Sequence, residues 1–425
     1  MPEVTDDTPV HLTEVDVDLD VQEILLAASQ HDQSKLRRLL RTQSMLPDAA
    51  NVKDTETGFS PLHAAIAACE PDTETTGANG ATTSDSNPKG LDADTVKSAV
   101  ETVQFLLQEG AIWNDLDANN ETPGCIARRI GALELYELIV DAGVRAELLL
   151  NRLDAYEELA DDDDEEEEEE EAEAEAEAEA ETAPELVDAS AEPTTETTTT
   201  TTPANPEVSN SQYLESRLNI QNDRILDSDQ NGVMMRWESD IMRKSATALL
   251  PTPGLKVLNI GHGMGIVDGF FQEQGPAVHH IVEAHEEVVA EMKRRGWDTK
   301  PGVVIHQGRW QDILPGLVAA GETFDAIYYD TFAESYGDFR EFFSEQVIGL
   351  LEQEGRWGFF NGMGADRQIS YDVYQKVAEM DLFEAGFDVQ WEEISVPKLD
   401  GEWEGVRRAY WVVDDYRLPL CKFMD

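Results

Sequence analysis

The spacing of apolar residues changes near the middle of this chain. Up to about position 153 they recur at helical intervals. Val100, Val103, Phe105, Leu106 and Leu107 give the spacing of a helix over 96–109, closed by Gly110. Leu133, Leu135, Leu138 and Ile139, followed by Asp141-Ala142-Gly143, repeat that ending, and 24–40 reads as an earlier unit of the same kind. From Lys256 onward the pattern becomes one of short β-rich runs separated by helical stretches. Runs over 257–260, 280–283, 303–306, 324–330 and 357–360 predict strands; 286–295 and 339–351 predict helices between them. That alternation predicts an α/β, Rossmann-like, doubly wound parallel sheet. Two later runs, 389–394 and 409–413, predict an antiparallel hairpin at one edge.

The two patterns are separated by charge. The chain carries a formal net charge of −57, and 24 acidic residues with no Lys or Arg fall within 154–210. This stretch runs from an Asp/Glu block at 161–171 through Glu-Ala alternation into a Thr tract. Its like charges repel and it has too few apolar groups to offset ordering entropy, which predicts a disordered or partly helical linker. The expected division is 1–153, helical; 154–210, linker; 211–425, α/β. An acidic balance argues against direct nucleic-acid binding through phosphate neutralisation and for attraction of a basic protein partner. There is no run of 18 apolar residues, so no membrane span is expected, and the acidic N-terminus predicts a soluble protein of cytoplasm and nucleus. Cys69, Cys125 and Cys421 are far apart, and His262, His279, His280, His285 and His306 have no ligand spacing, so no metal is expected.

Within the helical part, Ser60-Pro61-Leu62-His63-Ala64-Ala65 resembles the ankyrin signature T-P-L-H-x-A, and Thr122-Pro123-Gly124-Cys125-Ile126-Ala127 is a partial copy. Their prolines are 62 positions apart, close to two periods of roughly 33. An all-α, ankyrin-like repeat domain is therefore expected, with polar residues 70–95 as an inserted loop and His63 in a helix-start hydrogen-bond network. Stacked repeats of this type commonly bind protein.

Candidate chemistry lies in the α/β part. The first strand runs into Gly261-His262-Gly263-Met264-Gly265, a turn that allows close backbone approach to a ligand. Glu283 ends the second strand 20 residues after Gly263, where a carboxylate can accept from ribose hydroxyls. The G-x-G-x-G spacing differs from the G-x-G-x-x-G of a dinucleotide site. Strand, turn, helix, strand and Glu in this order favour S-adenosylmethionine over NAD, since a sulfonium cofactor has no pyrophosphate to seat. Other distinctive groups are Arg236-Trp237-Glu238 before the first strand, Gly308-Arg309-Trp310-Gln311-Asp312 after the third, and Tyr329-Asp330-Thr331 after the fourth.

On these motifs, residues 230–425 resemble the guanidinoacetate-methyltransferase family, and with the repeat-like N-terminus and acidic linker the whole resembles the fungal arginine δ-nitrogen methyltransferases. The resemblance implies a class I S-adenosylmethionine methyltransferase fold and methyl transfer to the δ (N5) nitrogen of arginine in a basic protein, with a ribosomal-protein-like client and a monomeric enzyme. It implies that Glu238 and Asp330 clamp the guanidinium. Tyr213, Met234, Met242, Asn259, Gly261, His262, Gly263, Met264, Gly265, Glu283, Ala284, His285, Arg309, Trp310, Asp312 and Asp330 are implied to surround the cofactor. Asn259 departs from the acidic residue this family type often has there. Three alternatives remain at this point: a small-molecule guanidino methyltransferase, an inactive repeat-based adaptor and, weakest, a NAD-dependent dehydrogenase.

Overall fold

The computed structural model describes residues 14–43, 46, 48–71, 93–153 and 208–424. Residues 154–207 of the expected linker over 154–210 and most of the expected loop over 70–95 lie outside them. Two compact units are formed, one of Met1–Arg145 with Arg367–Val373, the other of Ala146–Asp366 with Tyr374–Asp425.

The first unit is helical: α1 (Glu14–Ser29), α2 (Gln33–Arg38), α3 (Pro61–Ala67), α4 (Ala93–Gln108), α5 (Pro123–Arg129) and, as far as Arg145, α6 (133–153). Its short helices start where the side chains dictate. Ser60 caps α3 and Thr122 caps α5, each accepting from the backbone N–H three residues on, and each is followed by Pro at the first helical position. His63 completes a capping box, its Nδ1 2.8 Å from Ser60 Oγ. Its Nε2 lies 3.2 Å from the Glu121 carbonyl, so the fully buried ring ties the start of α3 to the segment that enters α5. Asn51 bonds the Gly110 carbonyl and the Ile112 N–H, while the Ala118 N–H donates to Thr57 O. Leu36, Leu62, Ile66, Val103, Leu106, Ile126 and Leu135 are sealed between the helices.

The second unit begins with α7 (Asn210–Glu215) and a small antiparallel sheet, β1 (Asn219–Ile220), β2 (Arg224–Leu226) and β3 (Gly232–Met235), which leads through Glu238 into α8 (Ser239–Leu249). The main sheet follows: β4 (Lys256–Ile260), α9 (Ile266–Glu273), β5 (Val278–Glu283), α10 (Glu286–Arg294), β6 (Val303–Gln307), α11 (Trp310–Ala319), β7 (Phe324–Tyr329), α12 (Tyr336–Glu341), α13 (Ile348–Leu350), β8 (Leu351–Phe359), α14 (Gln368–Glu384), β9 (Phe387–Ser395) and β10 (Asp415–Phe423). Spatial order is β6-β5-β4-β7-β8-β10-β9, with five parallel strands and β10 antiparallel to both neighbours. This is the class I methyltransferase arrangement. The chain reverses winding direction at β4, and the crevice beyond the carboxyl ends of β4 and β7 is where such sheets take ligands. Four of five residues in β4 are buried, as a strand covered on both faces requires.

Two expectations are corrected. The helix expected to end at Asp141-Ala142-Gly143 continues through Gly143 to 153. The edge hairpin exists, but its second strand is Asp415–Phe423, not 409–413. Pro419, which donates no backbone hydrogen bond, weakens the strand signal of 415–423. The aromatic run at 410–411 instead packs against Trp237.

Loss of the Ser60 cap should be visible locally. Ser60→Ala removes about 1 kcal/mol of helix-start stabilisation, which corresponds to roughly fivefold faster amide exchange in α3. Hydrogen exchange on the full chain should show this in α3 and leave α5, with its own Thr122 cap, unchanged. Equal exchange at α3 before and after the substitution would remove the cap from the account.

Candidate active site

The turn after β4 is pressed into the end of β7. Asp330 N–H donates to Ile260 O at 2.9 Å, and Gly261 N–H donates to Val282 O at 2.9 Å. Gly261 has φ +89, and a Cβ there would stand 1.9 Å from the Asp330 carbonyl oxygen. Only glycine fits. Gly263, at φ +51, is less constrained, since its Cβ would meet only the thioether end of Met234.

Glu283 holds the turn from the β5 side. Its Oε2 accepts from the His262 and Gly263 N–H groups at 2.8 and 3.3 Å, and its Oε1 accepts from His285 N–H at 2.7 Å. Beneath the turn, Asp268 is completely buried. Burial alone would raise its pKa, but His262 Nδ1 at 2.6 Å and His279 Nε2 at 2.8 Å outweigh burial and hold it at about 2. Asn259 Nδ2 adds a third donor to Asp268 at 2.9 Å.

Two cavities meet at this point. The first is lined by Tyr213, Met234, Gly261, Gly263, Glu283, Ala284, Arg309, Trp310 and Asp330 among others. The second is walled by Phe339, Phe359, Phe360 and Tyr410 and contains Glu238. Val233, Asp330, Thr331, Phe332 and Glu334 line both, so Asp330 stands at the junction. Tyr213 from α7 covers the first cavity, its ring 5.0 Å from both His285 and Phe332.

The electrostatics at the junction are unusual. Asp330 Oδ2 is covered and has no hydrogen-bond partner among the described residues. Burial, reinforced by the negative charges of Asp268 and Glu283, pushes Asp330 up to about 7. Glu238 is 3% exposed and raised well above its ordinary range by burial and then by repulsion from Asp330; the Tyr410 hydroxyl donates to its Oε1 and opposes the shift. Two carboxylates short of donors beside an aromatic-walled cavity describe a receptor for a planar cation.

The structure thus brings together Tyr213, Met234, Gly261, Gly263, Glu283, Ala284, Arg309, Trp310 and Asp330, with Glu238 in the adjoining cavity. The other expected cofactor residues do not line the first cavity. Met242 is fully buried in the core against α9, and Met264 packs in the same cluster. Asn259 and His262 face Asp268, beneath the turn. Gly265 abuts the His262 ring. His285 faces the chain before β1, its Nε2 3.1 Å from Ser216 O. Asp312 is exposed on α11.

Tyr410 and Glu334 escaped the sequence reading. Glu334 accepts from Trp310 Nε1 at 3.0 Å and from the Tyr329 hydroxyl. Its only local signal was an acidic residue four places after Asp330. The cradle fits S-adenosylmethionine: backbone at Gly261 is open to close approach, Glu283 retains acceptor capacity, and the uncompensated Asp330 would sit near positive charge. Among the described residues no His/Cys/Asp/Glu group of three could hold a metal, and no helix is long and apolar enough to cross a membrane.

A family model described as guanidinoacetate N-methyltransferase matches residues 209–403. The chain is 71% identical over 416 residues to protein arginine N-methyltransferase 2 of Aspergillus fumigatus, covering 96% of this chain and 97% of that one. It is 70% identical over 420 residues to the Aspergillus oryzae protein of that name, covering 97% and 99%. The Neurospora crassa protein of that name is 47% identical over 431 residues, covering 95% and 96%.

The unequal surroundings of the two glycines give a graded expectation. Gly261→Ala should abolish S-adenosylmethionine binding in calorimetry, because relief of the clash moves Asp330 and the turn together. Gly263→Ala should weaken binding by roughly thirtyfold or less, as the Met234 end can swing aside and the left-handed backbone costs about 1–2 kcal/mol. Equal effects would mean that the close approach at Gly261 does not shape the cofactor site.

Proposed function

The chain belongs to the protein arginine N-methyltransferase 2 family, an assignment that makes it an S-adenosylmethionine-dependent protein arginine methyltransferase, and from that premise we propose that it methylates the internal δ-nitrogen. The observation that carries the reading is the pair Glu238 and Asp330: Glu238 is buried and Asp330 partly buried, both are raised, and Asp330 Oδ2 is covered with no donor among the described residues.

A guanidinium entering the second cavity supplies the missing positive charge. It converts two destabilised carboxyls into an ion-paired set, and the aromatic walls exclude water that would screen the pairing. Glu238 lines the second cavity alone, which suits a grip on the terminal nitrogens. Asp330 lines both cavities, which suits contact with the δ-nitrogen at the point where cofactor and acceptor meet. S-adenosylmethionine, when bound, supplies an electrophilic methyl group on a positively charged sulfur. Methylation of the δ-nitrogen requires that nitrogen to shed its single proton, and Asp330, poised at about 7, is matched to take it. Fixing the acceptor beside the methyl donor accounts for much of the acceleration in such a transfer.

The helical unit reads as an ankyrin-like stack that recruits the protein client. Equivalent caps at Ser60 and Thr122 and the hydrogen bond between Ala118 and Thr57 support this reading.

The carboxylate pair is open to direct test. Asp330→Asn keeps the shape and removes the charge, which should lower single-turnover transfer by roughly 30- to 1,000-fold, on the order of 2–4 kcal/mol. Glu238→Gln should behave alike, and the double variant should lose less than the sum. In the wild type, Asp330 is neutral below about pH 7, so kcat/KM for an arginine acceptor should fall as pH drops through that value. That limb should disappear in Asp330→Asn. Transfer by Asp330→Asn at the wild-type rate would sink the clamp.

Regiochemistry has its own test. Acid hydrolysis of a client labelled from radioactive S-adenosylmethionine, followed by amino-acid analysis, should yield δ-N-methylarginine. Label recovered only as ω-N-methylarginine would overturn the δ assignment and leave arginine methylation standing.

A further inference from the structure

Glu238 is supported from outside the family-matched segment. The match ends at residue 403, whereas the hydroxyl that donates to Glu238 Oε1 belongs to Tyr410. We propose that Tyr410 is a positioning residue for arginine transfer: its hydroxyl orients the Glu238 carboxylate toward the acceptor cavity and sustains its charge there. The inference rests on the arginine reading of that cavity.

The connection between β9 and β10 is built to deliver this hydroxyl. Its ends are joined where Val396 N–H donates to Asp414 O at 2.7 Å. Midway, Arg407 N–H donates to Gln230 O at 2.8 Å, and Arg224 Nη1 donates to Glu404 O at 2.9 Å, which docks the segment onto the small sheet. Beyond Tyr410, Val412 N–H donates to Ala365 O at 2.8 Å. The Tyr410 ring is held edge-on to Trp403 at 4.9 Å and lies so close to β3 that a Cβ on Gly232 would be 2.9 Å from its Cε1. A ring so confined presents its hydroxyl in one direction.

The chemistry needs such a donor. Glu238 is almost sealed from water and faces another carboxylate, and it stays well above its ordinary range even with hydrogen bonds from Tyr410 and the Met235 backbone; loss of the phenol would push it further toward the neutral form, which cannot pair with a guanidinium. Tyr410 also lines the acceptor cavity, so the phenol and the substrate share one carboxylate. A hydrogen bond to a charged group is worth more than a neutral one and is lost cleanly when the hydroxyl alone is removed.

Tyr410→Phe keeps the ring against Trp403 and Gly232 and removes that donor. In the full chain, S-adenosylmethionine affinity measured by calorimetry should stay within about twofold of wild type. By contrast, kcat/KM for an arginine peptide at neutral pH should fall roughly 10- to 100-fold, as expected for one hydrogen bond to a charged group. The acid limb that Glu238 contributes, distinct from that of Asp330, should move to higher pH, so that the deficit narrows as pH rises. Replacing Tyr410 with 3-fluorotyrosine, a stronger donor of nearly the same shape, should move the limb the other way, which keeps the test available if the phenylalanine variant folds poorly. In a Glu238→Gln background, adding Tyr410→Phe should cost little more. A limb that stays in place in both Tyr410 variants, or a full additional loss in the Glu238→Gln background, would reduce Tyr410 to wall packing. Glu238→Gln at wild-type kcat/KM would instead remove the carboxylate reading on which the role of Tyr410 depends.

Discussion

Asp330 owes its place to a backbone contact. The carbonyl of that residue occupies the space a side chain at Gly261 would need, and its N–H is bonded to Ile260 O. The cofactor turn after β4 and the carboxylate after β7 are therefore one rigid junction rather than two loops that happen to approach. Parallel strands in adjacent positions place both loops at the same sheet edge. Glycine then lets the backbones touch. The two cavities and the position of Asp330 between them follow from that contact.

Three carboxylates in this unit, Asp268 and Glu238 buried and Asp330 partly so, show that burial alone does not decide charge. Asp268 receives two histidine rings and an asparagine amide, and is held at about 2. Asp330 has one covered oxygen with no donor among the described residues and stands at about 7. Glu238 has the Tyr410 hydroxyl but faces Asp330, and stays well above its ordinary range. A structural carboxylate is given its donors by the fold; a binding carboxylate is left short of them, so that the ligand completes the set. The difference separates the support under the turn from the groups that meet substrate.

Several site residues were legible because their chemistry is local. The Gly261–Gly265 turn, Glu283 at a strand end, and Trp310 and Asp330 beside recognisable strands all sit at positions that periodicity marks. Other expectations failed because sequence neighbours need not share a face. Met242 follows Glu238 by four residues, yet it points into the core, and His262 lies between two functional glycines with its ring turned down toward Asp268. Asp312 is two residues from Trp310 on α11, and that offset is enough to send it to solvent while the indole faces the cavity.

By itself the sequence determined the alternation of strands and helices, the helical character of the first unit, the helix-start network around His63, and the glycine turn with its acidic partner. These depend on local periodicity and on side chains that bond their own backbone. Only the tertiary structure decided which strand closes the sheet edge and that Tyr410 serves Glu238 across 172 positions of chain. It alone also decided that Asp330 stands between two cavities with its Oδ2 lacking a donor among the described residues. Such features depend on which distant groups are excluded from water together, and no local pattern encodes the desolvation that gives them their chemistry.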